Sequence, residues 1–216
     1  MAREIEIKLR IRDLPGFRRA LAKLGVRSSA GRSGRVREQN ILFDTAAHRL
    51  KKRGQLLRIR TESPVGRRRK GGPRSLVTFK RPLVVRGSSK KDERHKVREE
   101  IEMEISDAKA LAMIFEGLGM PSWFRYEKCR TAFRLRASNA WAKGLLIELD
   151  ETPIGVFLEL EGPANAIDQT AKALGFETSD YVLANYMVLY REYCRDRGEE
   201  PGDMLFSKSE SKTPRR

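Results

Sequence analysis

The stretch Glu4-Ile5-Glu6-Ile7-Lys8 decides how this chain is interpreted. Successive side chains of a β-strand point to opposite faces, so the two glutamates and the lysine share one face and the isoleucines occupy the other. A strand face in contact with water more often carries Thr, Ser and single charges. Two carboxylates and an ammonium group in register are instead typical of a metal-phosphate site, because carboxylates bind hard cations and lysine binds phosphate oxygens.

Composition limits the classes of protein that are possible. The chain has 216 residues, which predicts a single domain, and its 39% hydrophobic residues are enough for a core. Charged residues make up 34%, above the usual quarter, and a net charge of +16 calls for an anionic partner or many internal anion-binding groups. The sequence has no apolar run near 18 residues and no apolar signal segment at its start, so we expect a cytoplasmic protein without a membrane span.

Two periodicities organise the chain. Period-2 alternation predicts eight strands, at 3–11, 35–44, 54–62, 75–84, 95–105, 127–136, 144–151 and 155–162. Helical spacing predicts amphipathic helices at 14–24, 107–118, 164–174 and 180–196, and the first three end at Gly25, Gly119 and Gly175, where glycine suits a left-handed C-cap. Basic stretches at 64–75 and 86–95 are predicted loops. We expect one domain over 1–195 and a disordered basic tail over 196–216.

Most predicted strands have one charged face, and this favours a particular architecture. A charged face cannot pack against an apolar layer, whereas a closed barrel can turn it toward a wet interior and pack its apolar face outward against helices. We therefore predict an α+β fold with a closed eight-stranded antiparallel β-barrel, a charged tunnel and flanking helices. An open antiparallel sheet with its polar face in bulk water is the alternative.

The residues on the charged face can be identified from the alternation within each strand. Charged residues at positions i and i+2 recur on strand after strand with both signs, which a merely solvated surface does not explain. Arg10 and Glu104 fall at the expected rim. The predicted interior set is Glu4, Glu6, Lys8, Arg58, Arg60, Thr78, Lys80, Arg98, Glu100, Glu102, Lys128, Arg130, Glu148, Asp150, Glu159 and Glu161.

This mixture of charges indicates the ligand. Acids and bases enclosed together would partly neutralise each other, so a polyphosphate with divalent cations fits better than a simple anion. Arginine and lysine hold phosphate oxygens, while groups of carboxylates hold Mg²⁺ or Mn²⁺. The chemistry would then consist of positioning and charge neutralisation for phosphoryl transfer.

The ordered set of motifs resembles the CYTH superfamily, the triphosphate tunnel metalloenzymes, which include class IV adenylate cyclases, thiamine triphosphatases and inorganic triphosphatases. Glu4-Ile-Glu6-Ile-Lys8 resembles the signature ExExK of that family, and the similarity extends over about residues 3–190. Asn185-Tyr186-x-x-Leu189 stands where the family often has S-Y-x-x-L. The other similar segments are Asn40–Asp44, Leu57–Arg60, Leu76–Lys80, Arg98–Glu102, Lys128–Arg130, Glu148–Asp150 and Gly155–Glu161.

The resemblance implies roles for individual residues. It implies a catalytic motif of Glu4, Glu6 and Lys8, with Glu100, Glu102 and Tyr186 as further site residues. Internal salt bridges would explain Arg98, Glu100 and Glu102 equally well. The implied ligands of Mg²⁺ or Mn²⁺ are Glu4, Glu6, Asp150, Glu159 and Glu161, with Glu148 on the same face. The implied triphosphate contacts are Lys8, Arg58, Arg60, Lys80, Arg98, Lys128 and Arg130.

Three functions compete at this stage. The first is metal-dependent hydrolysis of a triphosphate, either inorganic triphosphate, thiamine triphosphate or a nucleoside triphosphate. The second is a class IV-type adenylate cyclase, in which the ribose 3′-oxygen attacks the α-phosphate of ATP. The third is a non-catalytic binder of polyphosphate or nucleic acid, suggested by the net charge and the basic loops, although the sequence shows no aromatic residues interleaved for base stacking. The sequence leaves monomer and homodimer both open.

Overall fold

The computed structural model of this protein describes residues 2–28, 34–65, 72–83, 94–135 and 140–207. Most of the basic loops predicted at 64–75 and 86–95 lies outside the described residues, and so does the tail beyond residue 207. The expectations for those segments stay predictions.

The described chain contains nine strands and five α-helices. The helices are α1 (Leu14–Lys23), α2 (Arg49–Lys52), α3 (Ala108–Gly117), α4 (Ala164–Ala173) and α5 (Tyr186–Arg195). The strands are β1 (Ala2–Ile11), β2 (Arg27–Ser28), β3 (Arg35–Phe43), β4 (Leu56–Pro64), β5 (Arg74–Pro82), β6 (Lys96–Ile105), β7 (Ser122–Arg134), β8 (Leu146–Thr152) and β9 (Gly155–Glu161). None of the described helices is long and apolar enough to cross a membrane.

Eight of these strands close into an antiparallel barrel. Their order is β7-β3-β4-β5-β6-β1-β9-β8, and β8 pairs back onto β7. The closing contact runs from Cys129 opposite Glu151 to Phe133 opposite Ile147. The short β2 adds only to the end of β7. The predicted α+β fold with a closed eight-stranded barrel is therefore confirmed, and the open-sheet alternative is wrong because β7 and β8 leave no free sheet edge.

Element boundaries differ from the predicted ones at three places. Strand β7 begins at Ser122 rather than at residue 127, and the one-turn helix α2 was not predicted. Helix α5 begins at Tyr186 rather than at residue 180, because the Asn185 side chain accepts the N–H of Val188 at 3.0 Å and caps the helix there. Residues Thr178–Asp180 form a separate 3₁₀ turn.

The apolar faces of the strands lie outside the barrel under two helices. Ile7 and Leu9 of β1 are almost fully buried in a cluster that includes Leu21 of α1 and Ile167 of α4. Helix α1 can turn back toward the sheet because Gly25 adopts a positive φ of 69° after it. These helices pack against the outer, apolar face of the barrel, so the charged faces of the strands point inward.

A second apolar cluster closes one end of the barrel. It combines Leu42 of β3, Tyr126 of β7 and Phe157 of β9 with Tyr186 and Met187 at the start of α5. The Phe157 and Tyr186 rings meet edge to face at a centroid distance of 5.5 Å. The charged part of the interior therefore begins beyond this aromatic end.

The segment after α5 departs from the expectation of a disordered tail. Residues 196–207 form no helix or strand, but Met204 is fully buried and exchanges backbone hydrogen bonds with Arg125 and Glu127 on β7. The Glu127 carboxylate also accepts the N–H of Phe206. This segment is ordered although it shows no periodicity, because Met204 is buried and bonds to the part of β7 that precedes its pairing with β8.

Candidate functional site

A cavity of about 480 Å³ lies inside the barrel. All eight barrel strands contribute side chains to it, and its described lining carries nine basic and nine acidic residues. The basic ones are Lys8, Arg58, Arg60, Arg74, Lys80, Lys96, Arg98, Lys128 and Arg130, and the acidic ones are Glu4, Glu6, Glu38, Glu62, Glu100, Glu102, Glu148, Glu159 and Glu161. The lining charges cancel, so the net charge of +16 resides outside the cavity.

Strand β1 places its charged motif in this cavity. The Lys8 Nζ lies 3.4 Å from Glu6 Oε1 and 3.2 Å from Glu159 Oε1. Strand β6 pairs with β1 only as far as Glu6, and beyond that point Val182 exchanges two backbone hydrogen bonds with Lys8. Burial would lower the pKa of Lys8, but the two carboxylates outweigh burial and raise it. Lys8 is therefore a fixed, charged ammonium inside the cavity.

One side of the barrel, which we call the paired wall, consists of Glu38, Lys128, Arg130, Glu148, Asp150 and Glu159. Arg130 Nε and Nη2 donate to the two oxygens of Asp150 at 2.7 Å each, a bidentate pair, and Arg130 also contacts Glu148 and Glu159. Lys128 Nζ donates to Asp150 Oδ2 at 2.8 Å. Tyr186 Oη donates to the same oxygen at 2.7 Å.

The cations of the paired wall set the protonation of its acids. Burial alone would raise the pKa of Glu159, but Lys128, Lys8 and Arg130 hold it well below its usual range. Glu148 behaves differently, because burial raises its pKa to about 8 while Asp150 and Glu159 compete with it for Arg130. The paired wall is thus a network in which two cations are shared among several carboxylates.

The opposite side, which we call the open wall, consists of Glu4, Lys80, Arg98, Glu100 and Glu161. Lys80 Nζ contacts Glu4 and lies 3.3 Å from Glu100 Oε1. Glu4 Oε2 is buried without a hydrogen-bond partner. Arg98 and Glu161 line the cavity, yet neither makes an ion pair within 4.0 Å among the described residues. Burial and the nearby Glu4 raise the pKa of Glu161 to about 7.

Strand β4 supplies the two arginines between the walls. Arg58 donates to Tyr126 Oη and to Thr78 Oγ1, each at 3.2 Å. Arg60 Nη2 donates to Glu102 Oε2 at 2.8 Å. Both guanidinium groups are at least nine-tenths buried, so only ligands that enter the barrel can reach them.

Nearly the whole predicted site comes together in this cavity. Asp150 is the exception, because it is fully buried behind Lys128 and Arg130 and is not part of the lining. Internal salt bridges, the alternative for Glu100, Glu102 and Arg98, form at Glu100 and Glu102. That alternative is wrong for Arg98, which forms no ion pair within 4.0 Å among the described residues. The predicted residues that line the cavity are Glu4, Glu6, Lys8, Arg58, Arg60, Lys80, Arg98, Glu100, Glu102, Lys128, Arg130, Glu148, Glu159, Glu161 and Tyr186.

Five charged or aromatic lining residues were missed from the sequence, and two of them, Glu62 and Arg74, form an ion pair at 2.7 Å. Lys96 Nζ donates to Glu6 Oε1 at 2.6 Å, and its position two residues before Arg98 on the same strand face was a usable signal. Glu38, which is fully buried, lies on β3, where apolar residues occupy both faces and alternation gives no clear answer. Tyr126 shares a face with Lys128 but was missed because the predicted strand began at residue 127. Burial would raise the pKa of Glu38, but Lys128, Arg130 and Arg60 outweigh burial and lower this pKa to about 2.

The six predicted metal ligands do not form a ready-made metal site. Within the part of the chain that the structure describes, no three His, Cys, Asp or Glu side chains converge closely enough to hold an ion. In the paired wall, Glu148, Asp150 and Glu159 already form ion pairs with Arg130. On the other side Glu6 and Glu161 are direct cross-strand neighbours, and Glu4 Oε2 lacks a partner. The donors that fit a hard cation are therefore Glu4, Glu6 and Glu161.

Known proteins with similar sequences and structures agree with this architecture. A Methanocaldococcus jannaschii protein named as a candidate adenylate cyclase is 28% identical over 172 residues, which are 79% of this chain and 83% of that protein. A Pyrococcus horikoshii structure is similar with a TM-score of 0.67 and 23% identity, over 88% of this chain and 99% of that chain.

A structure from Hippeastrum is described as that of an adenylyl cyclase candidate with a dominant triphosphatase activity. It is similar with a TM-score of 0.53 and 20% identity, over 92% of this chain and 97% of that chain. At these identities the two structural likenesses show the fold alone. The CYTH domain family matches residues 2–178. Because that match covers most of the chain, this protein belongs to the CYTH domain family.

Proposed function

We propose that this protein hydrolyses a triphosphate compound inside the barrel with Mg²⁺ or Mn²⁺. The observation that carries the proposal is the charge balance of a cavity in which, among the described residues, Arg98 and Glu161 form no ion pair. Counted by formal charge, the nine acids of the lining balance its nine bases, so the lining offers a polyanion no formal surplus of positive charge. A triphosphate that enters must therefore bring cations with it, as its metal complexes do.

The open wall, together with the adjoining Glu6 and the arginines of β4, supplies the residues for such a complex. Glu4, Glu6 and Glu161 would hold the metal ion, which when bound would supply charge neutralisation and polarise the phosphoryl oxygens. Arg98 forms no ion pair among the described residues, so none has to break before it binds phosphate. Lys80 forms ion pairs with both Glu4 and Glu100. Arg58 and Arg60 add buried guanidinium groups of the kind that bind phosphate bidentately.

The paired wall would orient the same ligand while its own ion pairs to Asp150 stay intact. Arg130 and Lys128 are charged, nearly immobile and anchored by Asp150. Donors that are fixed before the reaction stabilise developing charge better than donors that must reorganise. In hydrolysis, the oxygen of a water molecule bonds to the terminal phosphorus while the bridging P–O bond breaks, and orthophosphate leaves the remaining diphosphate.

Cyclisation of ATP is the second candidate, and the name of the Methanocaldococcus relative favours it. In that reaction the ribose 3′-oxygen bonds to the α-phosphorus and pyrophosphate leaves. The same side chains would hold the triphosphate in both reactions. The structure described as having a dominant triphosphatase activity supports testing hydrolysis first.

A panel of substrates separates the candidates. The purified protein is incubated with tripolyphosphate, thiamine triphosphate or ATP, plus Mg²⁺ or Mn²⁺, and orthophosphate, pyrophosphate and cyclic AMP are quantified. We expect orthophosphate release, reduced at least about 100-fold in Glu4→Gln/Glu6→Gln. Glu99→Gln, a carboxylate on β6 that pairs with Arg81 on the outer face, is the matched control and should retain full turnover. Cyclic AMP as the main product would overturn hydrolysis, and binding without turnover of any substrate would make the protein a non-catalytic binder.

A further inference from the structure

A second group of charged and aromatic side chains lies outside the barrel, around Trp123 at the start of β7. The His48 ring centroid is 4.9 Å from that of Trp123, and Lys51 Nζ lies 5.2 Å from the Trp123 ring centroid. None of these residues lines the cavity inside the barrel. The proposed hydrolysis leaves them without a role.

The turn that carries Lys51 is held rigidly. Asp44 Oδ1 accepts the N–H groups of Thr45 at 2.7 Å and Leu50 at 2.9 Å, and Oδ2 accepts the N–H of Lys51 at 2.9 Å. His48 has a φ of 53°, in the left-handed region that non-glycine residues rarely occupy. Such a conformation persists only where the surroundings determine it, and it clusters at functional sites.

The cations of this surface lack acidic partners. Lys51 and Arg191 form no ion pair within 4.0 Å in the described chain, and the pKa of Lys51 is lowered by burial and by Arg191 beside it. Asp44 is the nearby carboxylate, but its oxygens are already occupied by backbone N–H groups. Lys51 Nζ lies over the Trp123 ring and Arg191 lines a cavity together with Trp123, so an anion beside this tryptophan would be attracted by both cations.

An aromatic cavity adjoins the two cations. It has a volume of about 330 Å³, and its walls include Trp123, Tyr190 and Arg191, with Asp203 at its edge. Asp203 Oδ1 accepts the N–H of Arg125 at 2.8 Å. Aromatic walls accept a planar ring, and a volume near 300 Å³ lies at the lower end of the range for small-molecule pockets.

We propose that this surface is a second binding site, independent of the barrel, for a nucleotide. The phosphate binds between Lys51 and Arg191, and the base stacks in the cavity against Trp123 and Tyr190. This assignment does not depend on the proposed hydrolysis. A binding site that combines one phosphate with one ring requires both parts of the ligand, so inorganic phosphate and adenosine each bind more weakly than AMP.

Tryptophan fluorescence tests the site directly. The chain has two tryptophans, Trp123 and Trp141, so Trp141→Phe leaves Trp123 as the single probe. In that background, AMP is expected to quench the emission saturably, and Lys51→Ala/Arg191→Ala to weaken AMP binding by about tenfold or more. Lys52→Ala/Arg195→Ala removes two exposed cations from the same helices and should leave AMP binding unchanged. Both pairs of substitutions should leave turnover of the triphosphate substrate unchanged.

Three results would overturn the assignment. The first is an absence of saturable quenching by AMP at millimolar concentration. The second is an equal response of the two double variants, which would place AMP elsewhere, for example in the barrel. The third is tight binding of a single-stranded oligonucleotide, lost in Lys51→Ala/Arg191→Ala, while AMP itself fails to bind, because this would make the surface a nucleic-acid site.

Discussion

The paired wall and the open wall are built from the same residue types, yet they leave their charges in different states. In the paired wall, Arg130 binds several acids at once, and Asp150 accepts four hydrogen bonds from three side chains and does not line the cavity. In the open wall, Arg98 and Glu161 face the cavity without partners among the described residues. The comparison teaches that a charged interior need not be uniformly functional: satisfied charges build the scaffold, and unsatisfied ones are available to a ligand.

Removing one carboxylate from each wall should give the largest contrast. Asp150→Asn leaves Lys128 and Arg130 buried with too little counter-charge, and such a loss typically costs about 3–5 kcal/mol of unfolding free energy. Glu161→Gln, the matched change on the open wall, should be neutral or stabilising at pH 8. Glu161 forms no ion pair with the described residues, so the substitution breaks none. Urea unfolding of both variants at pH 8 measures the difference. Equal destabilisation by the two substitutions would remove the distinction between the walls.

The pH dependence of stability should sharpen the same comparison. The pKa of Glu161 is about 7 in the folded protein and near 4.5 when unfolded, so the folded state binds more protons between these values. Stability without metal should therefore fall as pH rises from about 4.5 to 7, by at most about 3 kcal/mol from this group. Glu148, with a pKa of about 8, adds a slope of the same sign.

Thermal unfolding midpoints between pH 5 and pH 8 test this expectation. Glu161→Gln should flatten the profile in part, since Glu148 still titrates in this window. Mg²⁺ should also flatten it in the wild-type protein, because a cation at the open wall favours the ionised carboxylate. A profile that is unchanged by Glu161→Gln would contradict the electrostatic description of the open wall.

The smallest expected effect concerns the unpaired arginine. Arg98→Ala removes no ion pair, so we expect less than about 0.5 kcal/mol change in stability. The KM for the triphosphate should rise about tenfold, since a charge-assisted phosphate contact is lost. Arg130→Ala is the comparison, and it should lower stability as well as turnover. If Arg98→Ala left KM unchanged, Arg98 would have no part in substrate binding.

Much of the fold could be predicted because alternation is a local property. The positions of Glu4, Glu6 and Lys8 inside the barrel follow from the apolar character of Ile5 and Ile7 alone. The same reasoning failed on β3, where apolar residues occupy both faces, so Glu38 was missed. It failed again at the C-terminal segment, where Met204 packs against β7 without any periodic signal.

Local alternation in the sequence is enough to show which residues can face the interior and which chemistry their side chains carry. Which charges meet depends on the tertiary structure. Lys80 and Glu4 are 76 residues apart, and their contact arises because β1 and β5 flank the same strand, β6. The closed barrel likewise brings Arg130 onto Asp150, which converts an apparent metal ligand into a buried anchor. Which side chains form ion pairs depends on strand order and register across the whole barrel, and no local sequence pattern encodes either.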